Sequence, residues 1–343
     1  MYKKSFLFFL ITLAPGPLLY MAVFHGGYWL PSALVYMTAF ALLCDETFEL
    51  DFTKSDNNFA AQHILPIILG AVHFILLPLA IYALGAASLG WPSKAILFFA
   101  FGLFFGMISH ANAHELIHRT NRLHHRLGKW VFTSMLFGHH TSAHLLLHHP
   151  YVATPKDPNS ARLNESFYSF VKRASIEEFR AGLHAETIRL KKRGLSPSNF
   201  RNPYWQYCLG SLSAILLTYG LTGPKGVFAY LALSAYAQSQ MLIIDYVQHY
   251  GLQRKQLDNG KYEPICAHHS WNAPHWFSAF MTLNAPCHSD HHASPVKPFT
   301  DLDSFKDTAP QLPHSIPFMA TVALWPSKWR AVMNPRAKAW QDH

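Results

Sequence analysis

Hydrophobic positions along this chain come in long unbroken runs, unlike the one-face spacing of a helix half-buried in a soluble core. Six runs, at about 5–24, 28–44, 61–86, 92–113, 206–222 and 226–248, carry almost no charge. A helix needs roughly 20 mostly apolar residues to cross a bilayer, so the pattern predicts six transmembrane helices. The first run follows "MYKK", a basic start like that of a signal peptide. It lacks a small-residue cleavage site and leads at once into another apolar run, so it is read as an uncleaved helix. "HGGYW" and "TGPKG" supply tight turns within the first and last pairs of spans. The stretch 127–143 ("LGKWVFTSMLFGHHTSA") resembles a seventh span, but it is short and holds Lys129, His139 and His140. Crossing there would also part "HLLLHH" from "HELIH", so an interfacial or re-entrant helix is expected. The pattern divides the chain into 1–113 (spans 1–4), 114–205 (polar, cytoplasmic or interfacial), 206–249 (spans 5 and 6) and 250–343 (a cytoplasmic C-terminal region). The expected fold is all-α and integral to a membrane.

Composition agrees, since only 14% of residues are charged where a soluble domain carries about 25%. A net charge of +9 would suit a nucleic-acid binder if it coated one face of a soluble fold. Here the basic residues instead sort by topology. With the N-terminus in the cytoplasm, Lys3, Lys4, Lys54, fourteen Lys/Arg between 119 and 205 and nine after 252 lie inside, against Lys94 and Lys225 outside. That bias orients a multi-pass membrane protein with both termini cytoplasmic, expected in a bacterial inner membrane, and leaves no role for nucleic acid. The four cysteines form no CxxC pair, so no thiolate metal site or disulfide framework is indicated.

Histidine is the anomaly, at 23 residues. Four groups fall at the cytoplasmic ends of the spans: His114 and His118 in "HELIHR", His144, His148 and His149 in "HLLLHHP", His249 in "DYVQHYGL", and His288, His291 and His292 in "HSDHH". An i, i+4 pair shares one helical face and suits two ligands on one metal. Nine imidazoles exceed what one metal holds and suit two. Imidazole serves iron, copper, zinc and nickel alike. Glu115, Asp245 and Asp290 stand where carboxylates would orient histidine N–H groups, or bind metal directly. A lone HxxxH is more often a solvated helix face, and "HELIH" also fits the zinc-protease pattern HExxH. Recurrence of four such groups on one membrane side favours a shared metal centre. His25, His63 and His73 read as structural. His110, His124, His125, His139, His140, His268 and His269 lie near enough to support the site without being expected ligands.

Together "HELIHR", "HLLLHH…VATPKDPNSARLNESFY", "DYVQHYGL", "HHSWN" and "HSDHHASP" resemble the histidine boxes of the integral-membrane alkane and xylene monooxygenases, fatty acid desaturase-like di-iron enzymes. The resemblance covers roughly residues 100–300. It implies six transmembrane helices, a cytoplasmic di-iron cap held by the same nine histidines, O2 as co-substrate, and electrons from a separate rubredoxin or ferredoxin with its reductase. Alkane hydroxylases typically carry a glutamate before the second box and before the histidine of the "HYG" box, where this chain has Ala143 and Gln248. They often have a glutamine–arginine pair before the last box, where Pro286 and Cys287 stand. Ala143 and Gln248 look more like the xylene side of the family, and "VATPKDPNSARLNESFY" more like the alkane side.

The function this implies is hydroxylation of a terminal methyl group of a medium- or long-chain n-alkane to a primary alcohol. The substrate would be drawn from the membrane through an apolar cleft ending at the metal. Hydroxylation of an aromatic methyl group and desaturation of a fatty acid or other lipid are the alternatives within the family. Outside it stand an intramembrane zinc protease using His114, Glu115 and His118 with Asp245, and a metal transporter. The protease leaves most of the histidines unemployed. A transporter wants its ligands near the bilayer midplane. The basic stretch "RLKKRG" at 189–194 serves positive-inside anchoring, with docking of an acidic electron-transfer protein as the sharper reading.

Overall fold

The computed structural model describes residues 3–48 and 59–341; Lys54 and most of the acidic loop 45–58 lie outside them. Among the described residues there is no β-strand, only two isolated bridges, Gln256 with Tyr262 and Asn272 with Gln311. The chain runs through α1 (Lys4–His25), α2 (29–47), α3 (Leu65–Gly85) and α4 (Trp91–Ile117). After α4 come α5 (Arg122–Ser134), α6 (140–151), α7 (Phe167–Lys191) and the long α8 (Pro203–His249). The last third holds the short α9 (Trp276–Met281), α10 (His288–Ala293) and α11 (Ile316–Ala323), then α12 (Pro326–Gln341).

Four of these, α1, α3, α4 and α8, are long and apolar enough to cross a membrane. The last two runs expected as separate spans are one helix broken at Gly223, which takes φ 67° and ψ −164° just before Pro224. Glycine tolerates that left-handed turn, and proline has no N–H with which to continue the ladder. The second expected span is α2, helical throughout but interrupted by a π turn at Tyr36–Phe40. The outer faces remain greasy: Leu209, Leu212, Leu216, Leu217, Leu221 and Phe228 of α8 are all exposed. A water-soluble monomer does not leave so large an apolar band uncovered. This is a membrane protein.

Close backbone approach sets the helix packing. A Cβ on Gly85 would lie 2.5 Å from the Cα of Gly226, so α3 and α8 meet where neither can bear a side chain. The stretch 127–143 holds no helix long and apolar enough to cross a membrane. The chain reverses at Leu136 (φ 59°) between α5 and α6. A Cβ on Gly128 would sit 2.6 Å from the Ala113 carbonyl oxygen, so α5 packs closely back along the end of α4. The polar segments are fastened to the bundle in the same region. Asp45 of α2 accepts from the backbone N–H groups of Phe277 (2.8 Å) and Ser278 (3.1 Å) at the start of α9. Trp329 of α12 is fully buried against Tyr246 and Tyr250 at the end of α8, with ring centroids 5.3 and 5.2 Å away. Burying one large side chain contributes about 1.5–3 kcal/mol.

Candidate metal centre

Four helix ends deliver histidines to one place: α4 brings His114 and His118, α6 His144, His148 and His149, α8 His249, and α10 His288, His291 and His292. They form two adjacent groups. In one, His114, His118, His144, His149 and His291 offer ring nitrogens all within 4.8 Å of one another; in the other, His148, His249, His288 and His292 do the same. All nine residues are buried. The Nε2 atoms of His118, His144 and His149 form a triangle with sides of 2.9, 3.1 and 2.9 Å. In the second group Nε2 of His288 lies 2.9 Å from that of His249 and 3.1 Å from that of His292.

Hydrogen bonding cannot account for the triangle. Each nitrogen of a neutral imidazole is either a donor or an acceptor, so three Nε2 atoms in mutual contact leave at least one pair of like kind. A cation among the lone pairs removes that conflict. An imidazole nitrogen binds a metal such as zinc at about 2.1 Å, so neighbouring ligands stand about 3 Å apart, as these do. Burial keeps the rings neutral and their lone pairs free. His118 is pushed down to about 3 by burial and by the nearby histidines His148 and His140. His144, His149, His288, His291 and His292 are driven well below the ordinary histidine value for the same two reasons. His148 is the exception. Burial pulls it down, yet the Asp157 carboxylate outweighs that and raises it.

Asp157 is the carboxylate that sequence reasoning missed. His148 Nδ1 donates to Asp157 Oδ2 (2.9 Å), which fixes the tautomer, because a carboxylate only accepts, and aims Nε2 at the second group. The loop "VATPKDPNSARLNESFY" holds that aspartate in place. Ser160 Oγ donates to Asp157 Oδ2 (2.7 Å), and Arg173 of α7 donates to the carbonyls of Pro158 (2.8 Å) and Ser160 (3.2 Å) while gripping Glu165 with both ends of its fork. The three acids singled out by position bind other partners. Glu115 pairs with Arg119 (2.5 Å), Asp245 accepts from Asn159 Nδ2 (2.8 Å), and Asp290 pairs with Lys297 (2.5 Å) and the backbone of Asp303. With Glu115 held by arginine and His114 and His118 sharing a group with three more histidines, the zinc-protease arrangement is not formed. Substituting Asp157→Asn keeps the shape but removes the charge. It should lower metal retention by roughly 10–100-fold, read as metal per chain after dialysis against a chelator.

The remaining signals also find places. In "HHSWN", Asn272 Nδ2 donates to Ser289 Oγ and its Oδ1 accepts from Ser289 N, both at 2.9 Å, pinning α10 between His288 and Asp290. Trp271 Nε1 donates to the Tyr250 carbonyl (2.9 Å), tying that box to the end of α8. Ala143 packs on Gly182 of α7, where a Cβ added to the glycine would come within 3.2 Å of the alanine's own. Glu178, one turn earlier on α7, accepts instead from His140 Nδ1 (2.6 Å), and the His140 ring lies 5.1 Å from that of His144. Burial works against the Glu178 charge, but His140 outweighs it and holds the carboxyl below its usual range. Gln248 Nε2 donates to the Ala285 carbonyl (2.9 Å). His73 is a structural staple, bridging Ser109 (2.5 Å) and Ser134 (2.8 Å).

A cavity of about 950 Å³ opens between α2, α4, α8 and α11. Leu34, Met37, Leu103, Met107 and Ile244 line it, and it ends on His114 and His288, one from each histidine group. Phe99 and Trp325, exposed on the outer surface, also line it, so the cavity reaches the outside.

The model of the fatty acid desaturase family matches residues 89–322, from the start of α4 to α11 and thus over every clustered histidine. The chain belongs to that family. Within it the chain is similar to alkane 1-monooxygenase 2 of Pseudomonas aeruginosa, with 35% identity over 73% of this chain and 66% of the relative. Similarity to alkane 1-monooxygenase 1 of the same organism is 30%, over 92% of this chain and 85% of the relative. The xylene/toluene monooxygenase hydroxylase component XylM of Pseudomonas putida is 27% identical over 93% of this chain and 85% of its own length. The histidine clusters and this membership together point to iron as the metal.

Proposed function

We propose that this member of the fatty acid desaturase family is an O2-dependent monooxygenase that converts the terminal methyl group of a medium- or long-chain n-alkane to a primary alcohol. The observation that carries this reading is the apolar cavity ending on both histidine groups. A terminal C–H bond offers no polar handle, so selectivity must come from shape, and a long greasy channel supplies it. The nine histidines would hold two iron ions, five around one and four around the other, and iron supplies the activation of O2. The chain's own residues hold the alkyl chain against Leu103, Met107 and Ile244, keep bulk water out, and present the methyl end beside His114 and His288. Two electrons per turnover must come from outside, and a rubredoxin or ferredoxin with its reductase is the donor we expect. In this reading the chain crosses six times with the histidine end and both termini in the cytoplasm, a topology that puts 26 of the 28 basic residues on that side. Residues 114–205 and 250–343 then form the metal-bearing cap on spans 1–113 and 206–249.

Cells expressing the chain with either electron-transfer system, fed 18O2 and both an n-alkane and a xylene, should release labelled 1-alkanol. Labelled methylbenzyl alcohol as the main product would instead assign the chain to aromatic methyl groups. Unlabelled products, or an alkene, would overturn hydroxylation.

A further inference from the structure

A second depression, about 570 Å³, is lined by the part of α8 before the break at Gly223, whereas the cavity is lined by the part after it, and the two share no lining residue. Its walls are Phe74 of α3 and Leu209, Ala214 and Leu217 of α8, with Trp130 of α5 and Trp205 at its mouth. We propose that this groove binds one anionic glycerophospholipid, an acyl chain lying along α8 and the headgroup phosphate meeting the basic edge of α5.

Three observations support that occupant. The first is position. Trp205 stands at the start of α8, near Tyr207, whose hydroxyl meets Ser142 beside the histidines (2.9 Å), and Trp130 packs on Gly210 of the same helix; both indoles are exposed, at the level where such rings sit in a membrane interface. The second is shape: the groove is an open, largely apolar trough beside the exposed Leu209 and Leu217 of α8, with Trp130 packed closely on Gly210. The third is charge. Arg122, Arg126 and Lys129 recur at i, i+4 and i+7, making a cationic stripe along one edge of α5. Lys129 Nζ lies 5.4 Å from the Trp130 ring and is hydrogen-bonded to Gln206, which lines the groove. Neither Arg126 nor Lys129 has a carboxylate partner among the described residues. The sequence offers none nearby, with no Asp or Glu between Leu116 and Lys156 or between Thr187 and Ile244. Cations beside an apolar trough at the membrane surface are the chemistry that selects an anionic headgroup. The site is independent of the hydroxylation reading.

The test is native mass spectrometry of the delipidated, iron-loaded protein in neutral detergent, titrated with phosphatidylglycerol, phosphatidylcholine or inorganic phosphate. The first phosphatidylglycerol should bind on the order of 10- to 30-fold more tightly than phosphatidylcholine, as two basic side chains near one headgroup would give. R126E/K129E should erase that preference. A214W, which fills the trough, should weaken both lipids alike, and both variants should keep their iron because no clustered histidine is touched. Equal affinity for the two lipids, or a preference that survives charge reversal, would overturn the proposal. Inorganic phosphate binding as tightly as the lipid would reduce the site to an anion contact. A dimer formed without lipid and abolished by A214W would replace the lipid with a second copy of the chain.

Discussion

Replacing His288 by alanine should strip iron from the protein more severely than replacing His291, although the two lie three residues apart on the same short helix. His288 is one of four rings in its group, and its loss leaves three; His291 is one of five, and its loss leaves four. Both variants should lose hydroxylation by more than the roughly 10–100-fold typical of residues one step removed from a metal. The measurement is iron per chain in purified protein. H288A should approach half the wild-type content, while H291A should retain most of it under mild chelation. Equal iron in both variants would contradict the division into five and four, and wild-type iron in both would remove the histidines from metal binding altogether. A thermal melt on each preparation separates loss of metal from loss of fold.

The second large effect is expected at Ala111, which lines the cavity one helical turn before His114. A phenylalanine there, A111F, projects into open space, so the cost to stability should stay at or below the 1–3 kcal/mol of an overpacked core. Iron content should not change. Turnover of long alkanes should fall by at least the 10–200-fold that a single methylene in a tight pocket can decide, with shorter substrates affected less. Competition assays across a chain-length series would read this directly. Uniform turnover at every length would mean that substrate reaches the histidines by another route. Loss of iron along with activity would mean that position 111 shapes the metal centre rather than the channel.

These two outcomes depend unequally on what the chain displays in one dimension. The apolar runs needed no tertiary information, because a bilayer leaves the backbone little choice but helix. The histidine boxes were equally plain, since clusters of imidazole at the ends of apolar runs have few other uses. That 127–143 holds no helix long enough to cross was legible too, from its length and Lys129.

How the nine rings divide was not legible, and "HLLLHH" shows why. Helical periodicity pairs His144 with His148 at i, i+4. In the structure residues 144–148 form a π turn, whose i→i+5 bonding brings His144 and His149 to the same side. His149 therefore joins His118 and His144, while His148 turns to the second group and meets Asp157. A similar π turn at Phe104–Ser109 precedes His114, and another at Tyr36–Phe40 lies where α2 borders the cavity. Each is an inserted residue that only packing against neighbouring helices stabilises, so no local pattern announces it. Asp157 was hidden for a related reason: it is nine residues from its histidine across an irregular loop, and what holds it there is Arg173 from another helix. The sequence by itself determined that helices cross a membrane and gather histidines at one end, because hydrophobicity and ligand chemistry are properties of residues. Which nitrogen faces which neighbour, and where an apolar channel meets them, was decided only by tertiary structure, because direction and empty space belong to no single residue.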